Sequence, residues 1–321
     1  MTTGEAGMVS QVVGLAEAVG LPFVEKTVRT RPPWSWLPGH RCPGVLKGGL
    51  APGSDPVAPP WPELLITCGR RSAAVSIAVG KASQGRTFRV HVQNPHTPLG
   101  CFDLITPPRH DRLEGANVIA TRGALHRASP GRLAGQAEKF ARRFAHLPRP
   151  LVAVLIGGDS RNFRLTAEAT ASFADKLAAL SESAGAGLMV TTSRRTGAAN
   201  EAIVRRKLEG TGAYIWDGNG ENPYFAMLGL AEHIVVTGDS VSMVSEAGST
   251  GKPVYVVALE GGSARFSDFH RELEREGVTR PFTGELDQWT YKPVNDTLEI
   301  SQIVRHRLQS GNRPAAIPNP R

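Results

Sequence analysis

The sequence is poor in cysteine and lacks the motifs of several large enzyme classes. Its 321 residues include three cysteines, Cys42, Cys68 and Cys101, and no two of them form a CxxC pair. This usage is typical of a reduced cytosolic protein without structural zinc, so we predict neither a bound metal nor a cofactor. No P-loop, nucleophile-elbow or HExxH motif occurs, and no GxGxxG joins a strand to a helix, which disfavours dinucleotide binding.

Long apolar runs and a secretory leader are also missing. The longest apolar stretches, such as Leu151–Ile156, are far too short to cross a bilayer, and no charged segment followed by an apolar core opens the sequence. Aromatic residues make up only 6%, and no RNP-like, zinc-finger or zipper pattern occurs, so nucleic acid is a weak candidate partner. We expect a cytoplasmic protein, with peripheral attachment to the inner face of the membrane as the alternative.

What the chain has in excess is positive charge. The net charge is +8 and the isoelectric point is near 9.7, which favours anionic partners such as nucleotide phosphates or acidic lipid headgroups. The alternative is that arginine is abundant and spread over solvated faces. The sequence identifies no protein partner.

The order of the apolar segments indicates an α/β protein of two domains. A chain of this length predicts two domains of roughly 150 residues each. Short apolar segments alternate with helical patterns, and the runs are continuous, as expected for parallel sheets covered on both faces. We predict two Rossmann-like domains facing a cleft, at residues 1–148 and 149–321. The last helix, at 298–308, is expected to pack back on the first domain, and 310–321 to form an irregular end.

The beginning of the first domain is unusual. A helical pattern that ends at Gly20 starts within the first ten residues. In an α/β domain such a helix normally follows a strand, so we expect that the first strand is missing. A strand is predicted at 23–29.

A proline-rich segment follows at residues 32–62. It contains nine of the 24 prolines and three of the five tryptophans, Trp34, Trp36 and Trp61. This composition predicts a long loop. Either its tryptophans pack on the first domain, or Trp34 and Trp36, with Arg41 and Lys47 nearby, contact a membrane interface.

Candidate binding residues follow the predicted strands of the second domain. In open parallel sheets, ligands bind beyond the carboxyl ends of the strands. The segment 234–247 leads from a strand into a helix, whose first N–H groups and dipole favour an anion such as a diphosphate. Gly238 allows close approach, Ser240 and Ser242 add hydroxyl groups, and Glu246 is placed to accept from ribose hydroxyls. The alternative is a helix capped by Asp239 or Ser242, with Glu246 serving only the helix dipole.

Two further turns of the second domain point into the same predicted cleft. We assign nucleotide contacts there to Gly157 and Ser160 after one strand, and to Ser193 and Arg194 after the next. Arg195 is an equal candidate to offset phosphate charge, although either arginine is more often simply solvated.

The first domain supplies candidates for an acceptor site. Adjacent His110 and Asp111 are the candidate general base for an acceptor hydroxyl, the alternative being a turn without catalytic function. The other residues expected on this side lie in turns or at helix starts: Gly4, Glu5, Gly69, Arg70, Asn94 and His96.

Taken together, the motifs resemble those of the mitochondrial fission factor family, which comprises a plant protein and many bacterial relatives. The resemblance spans nearly the whole chain and rests on the segments 3–8, 14–18, 69–73, 93–96, 102–111, 117–118, 121–125, 156–160, 192–196 and 237–247.

The resemblance implies a glycosyltransferase-B-like fold and two competing functions. In lipid-linked sugar transferases of that fold, the second domain holds a nucleotide-sugar without metal and the first holds the acceptor. Residues 238–246 then fall where such enzymes grip the diphosphate and ribose. The expected function is a glycosyltransferase that moves a sugar from a nucleotide diphosphate to a lipid or envelope acceptor. The plant member, however, resembles a recruiter of a dynamin-like GTPase, which implies binding without catalysis.

Overall fold

The computed structural model describes residues 1–310 and divides into two compact units. Unit 1 combines Met1–Arg127 with the C-terminal segment from Asn295, and unit 2 is Ala128–Val294. The boundary expected after residue 148 falls inside unit 2. Of the irregular end predicted at 310–321, all but the first residue lies outside the described residues. The last helix belongs to unit 1, where it packs on the first helix.

Ten α-helices and eleven strands are formed by the described residues. The helices are α1 Ala6–Val19, α2 Val45–Gly48, α3 Arg70–Ala82, α4 Pro130–Phe144, α5 Ala167–Ala184, α6 Gly197–Lys207, α7 Tyr224–Leu230, α8 Val241–Gly248, α9 Ala264–Arg275 and α10 Asp296–Ser310. The strands are β1 Leu64–Cys68, β2 Phe88–Val92, β3 Leu104–Thr106, β4 Leu151–Ile156, β5 Phe163–Arg164, β6 Gly187–Thr192, β7 Tyr214–Ile215, β8 His233–Thr237, β9 Val254–Val257, β10 Glu260–Gly261 and β11 Thr279–Pro281. Three short 3₁₀ helices occur at Gly39–Arg41, Leu99–Cys101 and Arg109–Asp111.

Unit 1 is centred on a parallel sheet in the order β1-β2-β3. One face is covered by α1 and α10, because Leu15 and Val304 lie in one buried cluster with Ile66 of β1. The other face is covered by α3, whose Ala73 and Ile77 pack against the β3 region. Both helical layers are needed because the strand residues are apolar on both faces.

The first two residues lie in the strand position beside β1. The Met1 nitrogen donates to the Ile66 carbonyl at 2.8 Å, the Cys68 N–H donates to the Met1 carbonyl at 3.3 Å, and Thr2 forms a parallel bridge with Thr27. Two residues are too few to give a periodic pattern, which is why the sequence signalled no strand there. The strand predicted at 23–29 is wrong in extent, because regular pairing is confined to isolated bridges such as that at Thr27.

Unit 2 is centred on a six-stranded parallel sheet in the order β11-β9-β8-β4-β6-β7. Alternate residues of β4 serve its two faces. Val152 and Val154 lie in one buried cluster with Leu177 of α5, whereas Ala153 and Leu155 lie in a second cluster with Met227 of α7. A strand buried on both sides reads as a continuous apolar run. The predicted α/β fold with parallel sheets is confirmed.

Besides the short strand β11, two parts of unit 2 were not predicted. Strands β5 and β10 form a small antiparallel pair, which joins the turn after β4 to the turn after β9. Helix α9 buries Phe269 and Leu273 at helical spacing while most of its remaining residues are polar. That spacing of four residues is the signal that could have identified α9.

Candidate functional site

Three polar turns meet at the carboxyl edge of the unit 2 sheet. Strands β6, β4 and β8 are neighbours, so the turns that follow them lie side by side. The Ser193 hydroxyl donates to the Gly157 carbonyl at 3.0 Å, and the Gly158 N–H donates to an Asp239 carboxylate oxygen at 3.0 Å. The structure therefore brings together the three turns from which the sequence analysis took its nucleotide-binding residues.

The Asp239 carboxylate is the centre of this arrangement. Its side chain is fully buried and accepts from the Gly158 N–H, from the Thr237 hydroxyl at 2.7 Å and from the Arg195 guanidinium at 2.6 Å. A buried carboxylate is stabilised when it is paired and hydrogen-bonded in this way. Because these partners occupy it, Asp239 organises the turns and is not placed to contact a nucleotide directly.

Two glycines allow the turns to approach one another. The Gly157 N–H donates to the Thr237 hydroxyl at 2.7 Å, and a Cβ atom on Gly157 would overlap the Asp239 carboxylate. Gly158 has a φ of 152°, and a Cβ atom there would overlap the Arg195 carbonyl. Their backbone donors are therefore used within the protein, and both positions require the absence of a side chain.

The hydroxyl groups of Ser160 and Ser193 are also used locally. The Ser160 Oγ accepts from the N–H groups of Asn162 and Phe163, each at 3.2 Å. The Ser193 Oγ accepts from the Arg195 N–H at 3.2 Å as well as donating to Gly157. These contacts are turn-stabilising contacts of the kind that serine commonly makes.

The start of α8 is where donors remain. The Ser240 Oγ accepts from the Met243 N–H at 3.3 Å and caps the helix. Within residues 1–310, the N–H groups of Val241 and Ser242 have no hydrogen-bond acceptor. The first N–H groups of a helix are strong donors at the positive end of the helix dipole. Gly238 lies just before them, with its own N–H bound to the Val257 carbonyl at 2.9 Å.

Glu246 lies deeper in the protein than its predicted role requires. It is 6% exposed, and its carboxylate accepts from the Tyr224 hydroxyl at 2.5 Å. Burial, together with the charge of Glu246 and this hydrogen bond, raises the pKa of Tyr224 well above its usual value. Tyr224 thus stays neutral and holds the carboxylate in place.

The two arginines after β6 have different environments. Arg194 is exposed, whereas Arg195 is paired with Asp239 and donates to the Gly158 carbonyl at 3.1 Å. Arg195 neutralises the buried carboxylate, and Arg194 and the start of α8 contribute positive potential at this edge. The sequence analysis could not distinguish the two arginines, because adjacent residues share the same local pattern.

His270 of α9 also contacts the site. Its Nε2 lies 2.7 Å from the Gly238 carbonyl oxygen, and burial lowers its pKa from the usual value. The neutral ring therefore donates from Nε2 to Gly238. The sequence analysis missed His270 because it did not predict α9, and it missed Thr237 because that residue still belongs to a strand.

His110 and Asp111 form a close pair in unit 1. They lie on the 3₁₀ helix Arg109–Asp111, with His110 Nε2 at 3.7 Å from Asp111 Oδ1 and side-chain exposures of 8% and 5%. The separation of these two atoms is longer than a hydrogen bond. A substrate hydroxyl, however, would need a path to side chains that are nearly buried.

The residues expected on the acceptor side lie at the carboxyl edge of the unit 1 sheet. Gly4 has a φ of 97° and precedes α1. The pKa of the neighbouring Glu5 is lowered, mainly by the hydrogen bond that its carboxylate accepts from the Thr3 hydroxyl. Gly69, with φ 85°, leads into α3, and Arg70 is exposed in its first turn. After the adjacent strand β2, the Asn94 side chain accepts from the N–H of His96 at 2.9 Å, and His96 has φ 51°.

Comparisons with known proteins identify relatives along most of the chain. A family model described as Mitochondrial fission ELM1 matches residues 6–308. The chain is 34% identical over 274 residues to the mitochondrial fission protein ELM1 of Arabidopsis thaliana, with 77% of this chain and 64% of that protein covered. It is 25% identical over 288 residues to the uncharacterized protein RP120 of Rickettsia prowazekii, with 77% and 80% covered. The chain therefore spans somewhat less than two thirds of the length of its plant relative.

A solved structure with some likeness is the UDP-GlcNAc 2-epimerase from Methanocaldococcus jannaschii. The TM-score is 0.48 at 12% sequence identity, with 76% of this chain and 77% of that chain covered. A likeness of this degree carries no inference about ligand or reaction.

The parallel sheets and the polar turns at their carboxyl edges define an α/β protein of two units. Within that class, the chain belongs to the mitochondrial fission ELM1 family, because the family model matches residues 6–308. The family indicated by the sequence motifs is thereby confirmed.

Proposed function

We propose that unit 2 binds a nucleoside diphosphate, carried by a nucleotide-sugar, at the carboxyl edge of its six-stranded sheet. The observation that carries the proposal is the pair of unpartnered N–H groups at Val241 and Ser242, at the start of α8. Two adjacent N–H groups at a helix start are suited to the oxygens of one phosphate group.

The surrounding charges support an anionic ligand. Asp239, which would otherwise repel phosphate, is paired with Arg195. Arg194 is exposed in the turn after β6, and we assign it to a second phosphate group. The Ser242 hydroxyl, on the first turn of α8, adds a donor. The Tyr224–Glu246 pair lies about one turn further along, and we assign it to positioning the start of α8.

Replacing Val241 by proline tests the backbone donors directly. Proline removes the N–H but is well tolerated at the first position of a helix. The preceding residue, Ser240, has φ −121° and ψ 96°, which is compatible with a following proline. Ala167→Pro is the matched control, because Ala167 is the exposed first residue of α5 and follows Thr166 in an extended conformation.

The measurement is a thermal-shift panel of UDP-, GDP-, ADP- and dTDP-sugars. A ligand at a hundred times its Kd stabilises the protein by about 2.7 kcal/mol. We expect one nucleotide class to raise the melting temperature of the wild type and of Ala167→Pro, but not that of Val241→Pro. If no nucleotide-sugar shifts the wild type, or if Val241→Pro responds equally, the proposal is wrong.

A second candidate function is binding or recruitment without catalysis, as expected for a fission factor. It is favoured by the burial of His110 and Asp111, the residues to which the catalytic hypothesis assigns the base. Membership of the family points the same way. Transfer of the sugar to a lipid or envelope acceptor is the competing outcome. Release of free nucleoside diphosphate as the sugar of the shifting nucleotide-sugar passes to water, abolished by His110→Gln, would support catalysis. Binding without this hydrolysis would support recruitment.

A further inference from the structure

The proline-rich segment of unit 1 uses its tryptophans in two different ways. Trp34 is half-buried, its Nε1 donates to the Pro43 carbonyl at 2.7 Å, and its ring packs in a cluster with Cys42, Val45 and Ala74. This cluster fixes the segment to α3. Of the two alternatives for the tryptophans, packing therefore applies to Trp34.

Trp36 points away from the protein. It is 74% exposed, and the adjacent Leu37 is 38% exposed. The turn that carries them is held by backbone hydrogen bonds, from the Trp36 N–H to the Pro33 carbonyl at 3.0 Å and from the Leu37 N–H to the Trp34 carbonyl at 3.3 Å. The two apolar side chains are therefore exposed on a turn whose backbone is fixed by hydrogen bonds. We call residues 35–38 the Trp36 tip.

The segment around the tip is positively charged. Residues 26–54 contain no aspartate or glutamate. They carry five lysines and arginines, of which Arg31, Arg41 and Lys47 are exposed. Arg29 is exposed as well, but it donates to the Thr3 carbonyl at 3.0 Å and its charge acts on Glu5. The next acidic residue, Asp55, accepts from the Thr27 N–H at 2.6 Å and so is engaged locally. An exposed indole thus lies in a stretch of chain with only positive charge.

We propose that the Trp36 tip docks unit 1 on the surface of an anionic lipid bilayer. Tryptophan is favoured at the level of the lipid headgroups, where its ring is half in contact with apolar chains and its N–H with water. Nearby lysine and arginine side chains are attracted to anionic headgroups while remaining in the aqueous layer. The surface of an anionic bilayer can therefore contact both the exposed indole and the nearby cations.

The contact is weak and reversible. One indole and one leucine provide less apolar anchoring than a single acyl chain, which by itself gives only marginal attachment. Each cation near an anionic surface increases binding about fivefold. This electrostatic part is screened by salt. Within residues 1–310, no helix is long and apolar enough to span a bilayer.

Vesicle co-sedimentation of the full chain tests the proposal. The vesicles contain phosphatidylcholine alone or with 30% phosphatidylserine, at millimolar lipid and low salt. Leu298→Ala is the matched control, because Leu298 is a 47% exposed leucine on α10 of the same unit. We expect anionic vesicles to pellet the wild type and Leu298→Ala equally. Trp36→Ala should bind at least fivefold more weakly, and Arg41→Gln/Lys47→Gln about 25-fold more weakly.

A second readout locates the indole. Bromine-labelled lipid should quench part of the wild-type tryptophan fluorescence, and Trp36→Phe should lose that quenching while it still sediments. The proposal is overturned if the wild type ignores anionic vesicles, or if Trp36→Ala pellets like the wild type. Both results are independent of the nucleotide experiment, because Val241→Pro leaves the tip unchanged.

Discussion

Gly157 and Gly135 illustrate how one residue type serves opposite purposes in unit 2. A methyl group on Gly157 would overlap the Asp239 carboxylate, which three donors hold in place. Gly135 is exposed in the middle of α4, with nothing within 4 Å of its Cβ position. We expect Gly157→Ala to lower the free energy of unfolding by about 2–3 kcal/mol. Gly135→Ala should raise it by about 0.5–1 kcal/mol.

Guanidinium unfolding midpoints of the two variants provide the measurement. A midpoint of Gly157→Ala equal to that of the wild type would mean that the turns have room to separate, and the close approach would then not be required.

His91 makes the stability of unit 1 dependent on pH. It is fully buried in β2, and burial, with a smaller effect of His96, lowers its pKa to about 3. Below pH 6.5 the unfolded chain binds a proton that the folded chain does not accept until about pH 3, so stability is lost as the pH falls through this window. The expected loss is about 1.4 kcal/mol per pH unit, or about 2 kcal/mol from pH 6.5 to pH 5.

His91→Phe isolates this contribution. His233 and His270 also have lowered pKa values, so they too contribute to the pH dependence of the wild type's free energy of unfolding. The difference in slope between wild type and variant, from denaturant unfolding at several pH values, should correspond to one proton. Parallel curves for the two proteins would show that His91 titrates normally in the folded state.

Single residues of the candidate site differed in how far they could be predicted. Gly238 and Ser240 were found because a glycine and a small polar residue between a strand and a helix form a recognisable local pattern. Thr237, Tyr224 and His270 were not found, because each reaches the site from a different element. Their contribution depends on sheet order and helix packing, which no local pattern contains.

At the level of elements, the strands buried on both faces were the most predictable. The bounds of β1 and β4 coincide with the apolar runs in the sequence. The short strands β5, β10 and β11 and the amphipathic helix α9 were missed. Two or three residues carry no periodicity, and the many charges of α9 obscure its two buried positions. These are also the elements whose formation depends on the rest of unit 2.

The start of α8 allows a direct test of which residue caps it. Asp239 and Ser242 were the candidates from sequence, whereas the structure assigns the cap to the Ser240 Oγ, which accepts from the Met243 N–H. Ser240→Ala should lower the free energy of unfolding by about 1 kcal/mol. Ser242→Ala should change it by less than about 0.5 kcal/mol. Thr166→Ala, which removes the cap of α5, is the positive control. Equal losses at Ser240 and Ser242 would contradict the assignment.

At the level of the whole molecule, the chain returns to unit 1 at its C-terminal end. Helix α10 places Ile300 and Val304 in the same buried cluster as α1 and β1, although the chain in between builds all of unit 2. An amphipathic helix gives no information on which sheet it covers.

Asp296, the first residue of α10, connects the returning chain to unit 1. Its carboxylate accepts from the Gly123 N–H at 2.9 Å and from the Arg122 Nε at 3.1 Å, and the neighbouring Thr297 hydroxyl accepts from the His126 N–H at 3.0 Å. Asp296→Ala removes the acceptor of the buried Gly123 N–H and the nearer of two carboxylates beside Arg122, whose Nη2 still lies 3.8 Å from Glu299. We expect this change to destabilise unit 1 by about 3 kcal/mol.

Hydrogen exchange measured by mass spectrometry can assign that loss to one unit. Because the two units have separate buried clusters, Asp296→Ala should accelerate exchange in peptides from 1–127 and 296–310 and leave those from 128–294 protected. Leu298→Ala, an exposed change on the same helix, should leave both sets unchanged. Equal acceleration in both units would show that the chain unfolds as one cooperative body. No acceleration in either would show that the packing of Ile300 and Val304 holds α10 in place without the Asp296 contacts.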